Sequence, residues 1–230
     1  MTETGPGARE RMVAGAADMI RRRGLNATSM RELAKHAGTP FGSTYHYFPG
    51  GKSQLAVEAV QFADALAARK LAKELSAGPV AGLRGFVDMW RAVLVDSEFR
   101  AGCPVLGVSV QEPADDDAAP LQAAAAAFGN WTALLAESLR THGASDTDAE
   151  QTATLIVAAI EGTVAMCRAE RSTRPLDQAT ARLEFLIRAV TDTVDKSNPP
   201  SAVTPSDGGL TDPRTDSPRH AGCGTGLRDH

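Results

Sequence analysis

Apolar side chains recur along this chain at intervals of three and four, the spacing of helices that bury one face. From Ala8 to Arg23 they are Met12, Val13, Ala16, Ala17, Met19 and Ile20, and Gly24 supplies a stop. Ser29 then fits an N-cap, with Glu32 placed to complete a capping box. Met30, Leu33, Ala34 and Ala37 make the inward stripe of a short second helix ended by Gly38. Pro40 suits the first turn of a third helix, which Phe48-Pro49-Gly50-Gly51 breaks. Lys52 or Ser53 opens a long helix running to about Ser76, ahead of the boundary signal Gly78-Pro79. Further helices are expected over residues 80–99, a short one over 104–110, then Pro120 to His142 and Ala149 to Arg171. Ser145 or Thr147 would cap the last of these, and Pro175 opens a final helix ending near Asp195. The pattern predicts about nine helices and no strand, an all-α fold.

The pattern also divides the chain. Residues 1–52 read as a three-helix head and 53–196 as a larger helical body. Residues 197–230 hold five prolines and five glycines but no Phe, Trp, Tyr, Ile or Met, so they are expected to form a disordered tail.

Charge sharpens that division. The net formal charge of −4 is the sum of +3 over residues 1–60 and −7 over the remainder. A basic first quarter on an acidic body is expected of a small nucleic-acid-binding head on a domain with another task. No apolar run approaches the roughly 18 residues that span a bilayer, and no signal-peptide stretch opens the chain, so a cytoplasmic protein without membrane contact is expected. The three cysteines, Cys103, Cys167 and Cys223, are far apart and form no CxxC, which argues against a disulfide framework or a zinc site. No carboxylate pair, Ser/His/Asp set, phosphate loop or metal-spaced His/Cys cluster is found, so neither an enzyme nor a cofactor or metal is expected.

Candidate chemistry concentrates between Thr28 and Lys52. Four of the chain's eleven aromatic residues, Phe41, Tyr45, Tyr47 and Phe48, fall within eight positions. The third helix is poor in large aliphatics, and its outward positions Thr39, Ser43, Thr44 and His46 are small or hydrogen-bonding. A helix pair of this spacing fits either two short core helices or a helix-turn-helix, and the aromatic and polar content favours the second.

Ser29, Glu32, Leu33, Ala34, Ala37, Gly38, Gly42, Ser43, Tyr45, Tyr47, Phe48 and Lys52 stand at the motif positions of the TetR family of transcriptional repressors, which residues 8–60 resemble. The segments FPGGK and AGCPVLGVSV further resemble the LmrA-like branch, whose members regulate multidrug-efflux and flavonoid-type genes. Two departures stand out. Pro40 and Phe41 replace the polar residues common at those positions and offer only apolar contact, and one extra residue precedes Lys52.

Chemistry and resemblance together assign phosphate contacts to Ser29, Met30 (through its backbone N–H), Thr44, Tyr45 and Lys52. Thr39, Phe41, Ser43 and His46 are expected in the major groove. Phe48 is assigned to the core, and Tyr47 either to packing or to a phosphate.

In the body, Phe86, Met89, Trp90, Phe128, Trp131, Leu134 and Met166 read either as plain core or as a ligand box. The alanine run 123–127 either brings helices close or leaves a cavity. The resemblance implies the cavity, an inducer pocket that would include Cys103 and Glu161. Glu161 reads equally as a solvated or dimer-facing carboxylate, and Cys103 as a packed turn residue. The resemblance further implies a homodimer through the last two long helices, with Ile156, Ala159, Ile160, Thr163, Val164, Leu183, Leu186, Ile187 and Val190 on their broad faces. A dimer of this kind implies a palindromic double-stranded operator and release by a small apolar or aromatic inducer. The alternatives are an activator, or a regulator that needs no ligand.

Overall fold

The computed structural model describes residues 7–112 and 117–192. The expected tail 197–230 lies outside them. The described residues form helices α1 (Ala8–Arg23), α2 (Met30–His36), α3 (Phe41–Tyr47), α4 (Gly51–Leu75), α5 (Pro79–Asp96), α6 (Pro104–Ser109), α7 (Ala119–Thr141), α8 (Asp146–Glu170) and α9 (Arg174–Thr191), and no strand. Starts and stops fall within a few residues of the sequence expectations. The local chemistry explains why: Ser29 Oγ accepts from Glu32 N at 3.1 Å and Ser145 Oγ from Asp148 N at 3.1 Å, each satisfying an orphan donor of a helix start.

The head is built on α1. Met12, Ala16 and Ile20 on α1 and Leu33 on α2 are buried with Phe48, which follows α3 and is fully enclosed. Full burial of one such side chain stabilises the fold by roughly 1.5–3 kcal/mol. Arg9 closes the edge: it stands 5.4 Å from the Phe48 ring centre and pairs with Glu58 of α4 at 2.6 Å.

Helix α4 is the spine. Its start packs on α1, and its length packs on α5, α6 and α7. The expected boundary after residue 52 falls inside its first turn, and one hydrophobic cluster runs from Met12 in the head to Ile187 on α9. Gly82 sets how closely α5 turns back on α4, because a Cβ there would collide with the Leu75 side chain.

Helices α8 and α9 pair along one side of the body. By length and mean hydropathy (1.3) α8 also passes as a membrane-crossing segment, although its apolar residues are interrupted by polar ones. Half of that stretch is buried in the bundle, with Ile156, Ile160 and Val164 at its centre, as in a core helix.

Candidate functional site

Helix α3 has seven residues and buries only Thr44 among them. Phe41 is 41% exposed and Tyr45 55%, and their rings meet edge to face at 5.6 Å. The Arg31 guanidinium of α2 stands 5.6 Å from the Phe41 ring centre, so a cation, a phenyl ring and a phenol line up across the two helices. His46 is exposed beside Tyr47, 5.6 Å between ring centres. Ser43 and Thr39 are half-buried, and the Thr39 hydroxyl donates to Ala34 O at 3.4 Å. Phe41, Tyr45 and His46 are therefore exposed along one short helix, with Ser43 half-buried among them.

Among the expected phosphate contacts, the Thr44 side chain is the one placed differently. Thr44 is fully buried and its hydroxyl donates to Phe41 O at 2.6 Å, so its side chain cannot reach a phosphate without opening the helix. Met30 starts α2 with its side chain packed on the core, and Tyr47 is likewise half-buried against it. Lys52 reaches back to the α1–α2 loop, where Nζ donates to Asn26 O at 3.1 Å, and partial burial lowers its pKa. Ser29 is exposed, with Oγ engaged in its cap. Arg31 was missed by sequence reasoning. Its signal was its position two residues after the N-cap, where an exposed basic side chain borders the next helix.

The body interior is filled. Phe86, Trp90, Phe128 and Trp131 pack edge to face, with centroids 5.6 Å apart for Phe86–Trp131 and Phe128–Trp131, and 6.1 and 6.5 Å for the contacts of Trp90 with Phe86 and Trp131. Of the alanine run, Ala124 and Ala127 are buried and carry α7 close against α4, taking the close-approach alternative rather than the cavity. Leu134 is half-buried against the same core. Met166 is 51% exposed and points away from it. The outward side of α8 and α9 carries Leu155, Met166 and Phe185, each at least 50% exposed, whereas Ile156, Ile160, Val164, Leu183 and Ile187 serve the protomer's own core.

Glu161 is the exception in the interior. Both its carboxyl oxygens are buried without a hydrogen-bond partner, and desolvation raises its pKa to about 8. The Cys103 thiol is its polar neighbour. Cys103 caps α6, its Sγ accepting from Leu106 N at 3.4 Å, and burial followed by the nearby Glu161 charge pushes its own pKa well up. Burial and the neighbouring Glu161 thus hold the thiol protonated where it caps α6.

Head and body are fastened at the end of α1. Gly102 N donates to Arg21 O at 2.9 Å, Arg168 Nη2 of α8 donates to Arg22 O and Arg100 O at 3.2 Å each, and Asn26 N donates to the Gln111 side chain at 2.8 Å.

Two family descriptions match the chain: bacterial regulatory proteins of the tetR family over residues 13–59, and the C-terminal domain of LmrA/YxaF-like transcriptional regulators over residues 79–182. An HTH-type transcriptional regulator of Mycobacterium tuberculosis is 38% identical over 187 residues, 80% of this chain and 95% of the relative. The HTH-type transcriptional regulator LmrA of Bacillus subtilis is 29% identical over 183 residues, 79% and 97% of the two chains. Among solved structures, a cysteine mutant of the TetR family regulator CifR, in complex with 26-base-pair double-strand operator DNA, superposes with a TM-score of 0.64 at 22% identity, over 78% of this chain and 95% of that one.

Proposed function

This chain belongs to the TetR family of bacterial regulatory proteins, with an LmrA/YxaF-like C-terminal domain, and from that premise we propose that it represses transcription as a ligand-released dimer. As a transcriptional regulator of this family it binds DNA through its N-terminal helices. The finer reading is a homodimer on a palindromic operator, dissociated by a small apolar or aromatic molecule, acting in the cytoplasm and without catalysis. The carrying observation is the α3 surface, where two large aromatic side chains stay exposed beside Arg31 although a short helix of a stable core has every reason to bury them.

The chemistry divides the labour on that surface. Tyr45 and Arg31 supply a hydroxyl and a guanidinium to phosphates, which fix register without reading sequence. Ser43, His46 and Thr39 present hydrogen-bonding groups to base edges, and Phe41 presents apolar contact to a thymine methyl. Lys52 and Ser29 hold the turn that orients the surface, and the Met30 backbone N–H starts α2 beside them. The outward apolar face of α8 and α9 supports the dimer, because Leu155, Met166 and Phe185 gain nothing from solvent. Two heads so joined would read half-sites roughly 34–36 Å apart, one turn of the duplex.

Duplexes selected from random DNA, titrated at two salt concentrations, test the division. Tyr45→Phe and Arg31→Ala weaken selected and random duplexes alike and reduce the salt slope, by about one phosphate contact for Arg31. His46→Ala instead narrows the gap between selected and random DNA. Unchanged affinity in all three variants would remove α3 from the DNA surface.

A further inference from the structure

The loop between α1 and α2, residues 24–29, leads into the helix that carries Arg31 beside Phe41. The head's own interior holds little of it. Asn26, Ala27 and Ser29 are exposed, Leu25 is half-buried, and Thr28 alone is buried, its hydroxyl donating to Gly24 O at 2.9 Å.

The body supplies what the head does not. Helix α6 lies close under the end of α1: Gly102 N, just ahead of it, donates to Arg21 O at 2.9 Å, and a Cβ on Gly107 would come within 3.3 Å of Ile20 O. Past the end of α6, Gln111 reaches the loop itself. Its Oε1 accepts from Asn26 N at 2.8 Å, and its amide lies against Gly24, where the missing Cβ leaves it space. Lys52 Nζ donates to the Asn26 carbonyl at 3.1 Å from the other side. Both backbone groups of one exposed loop residue are thus held, one by the body and one by the first turn of α4.

We propose that Gln111 is a positioning residue for DNA binding: by holding Asn26 it fixes the α1–α2 loop, and with it the first turn of α2, as a duplex requires. Gln111 acts through Asn26 and not on the duplex. An exposed loop ordered in advance does not have to be ordered on binding, and that difference appears as affinity. Without Gln111 the loop keeps the hold of Lys52 and loses that of the body. The effect on DNA rests on the DNA-binding role proposed for α2 and α3; the hold on Asn26 does not.

What the hold requires is an acceptor at the end of a side chain of this length. Methionine has the length and lacks the acceptor. Glutamate has both, and among the residues lining the adjoining hollow it would meet Arg22, Arg23 and Arg168 and no carboxylate.

Gln111→Met, Gln111→Ala and Gln111→Glu are therefore made in the full chain and titrated with selected and random duplexes at two salt concentrations. Amide hydrogen exchange is followed in parallel. Gln111→Met and Gln111→Ala should each bind both duplexes about three- to tenfold more weakly. The salt slope should stay that of the wild type, because the same phosphates are met once the loop is ordered. Gln111→Glu should recover affinity to within about twofold at the higher salt, where its added charge is screened. Exchange at residues 26–30 should quicken in the methionine and alanine variants and not in the glutamate variant, at unchanged protection of α5, α8 and α9.

Quickened exchange with full DNA affinity overturns the positioning role. Unchanged exchange at residues 26–30 overturns the hold itself. A glutamate variant as weak as the methionine variant overturns the acceptor as its cause. A loss confined to the selected duplex makes Gln111 a base-reading contact and likewise overturns positioning. A wild-type protein that binds neither duplex overturns the DNA reading of the head instead, and leaves the exchange rates to decide the hold.

Discussion

Glu161 carries a carboxyl group whose oxygens are buried and unpaired, with a pKa raised to about 8. In the folded chain it stays protonated at a pH where the unfolded chain has already ionised, so unfolding releases a proton. From the carboxylate's ordinary 4.5 up to about 8 this residue therefore lowers stability as pH rises, by up to about 1.4 kcal/mol per pH unit, and above 8 the loss is complete. Glu161→Gln should flatten that dependence and exceed the wild type most at pH 8.5. Urea unfolding at pH 5.5, 7 and 8.5 measures it, and parallel curves would show that the carboxyl is hydrated after all.

Thr44 makes the companion case on the surface. It stands between Ser43 and Tyr45, yet its burial and its bond to Phe41 O remove it from solvent. Thr44→Val should leave DNA affinity within about twofold if the hydroxyl contacts only the helix, while Tyr45→Phe weakens binding. The residue types were legible in the sequence, and their facing was not. Successive residues of a seven-residue helix point about 100° apart, and too few apolar positions exist there to fix which way is in. For α8 the angle was available: Glu161 and Met166 lie about 140° apart around the helix, so an inward Glu161 turns Met166 outward.

At the scale of elements, helix positions follow directly from punctuation and period. Gly24, Gly38, Gly78 and the capping serines mark ends that the chain obeys. Gly24 does more than stop α1: its φ is +82°, and a Cβ there would collide with the Gln111 side chain that accepts from Asn26 N. Gly24→Ala should cost about 1–2 kcal/mol in a urea titration, from the backbone conformation together with displacement of Gln111. What the period could not give is which of two apolar faces on α8 and α9 serves the protomer. Both helices carry apolar residues on broad arcs; packing against α5 and α7 takes Ile156, Ile160, Leu183 and Ile187, and leaves Leu155, Met166 and Phe185 outside. Phe185→Glu should therefore convert a dimer to monomer in sedimentation at micromolar protein while leaving the thermal midpoint of the protomer nearly unchanged. A stable dimer in that variant would place the interface elsewhere.

At the scale of the whole molecule, one hydrophobic cluster passes from the head through α4 into the body, and the end of α1 and the loop after it are tied to the residues flanking α6 and to α8 by polar contacts. The alanines of α7 could be read two ways because small residues permit close packing and cavities equally; the structure takes close packing at α4–α7 and leaves open space where Ala14 and Ala17 face Ala63 and Ala67. Neither outcome was visible before the helices were placed.

Arg168 turns this connectivity into a quantity. Two residues along α8 from the outward Met166, its guanidinium holds carbonyls of Arg22 in the head and Arg100 in the body. Whatever settles α8 against a partner copy then also settles the end of α1, and the two equilibria share a coupling free energy that must read the same in both directions. Operator DNA should tighten the dimer by the same factor by which dimerisation tightens operator binding. Arg168→Met should bring both factors toward one together, in dimer dissociation constants measured with and without DNA. A cell would then read the abundance of this protein through its occupancy of DNA, steeply where protomers are scarce and scarcely at all once they are paired.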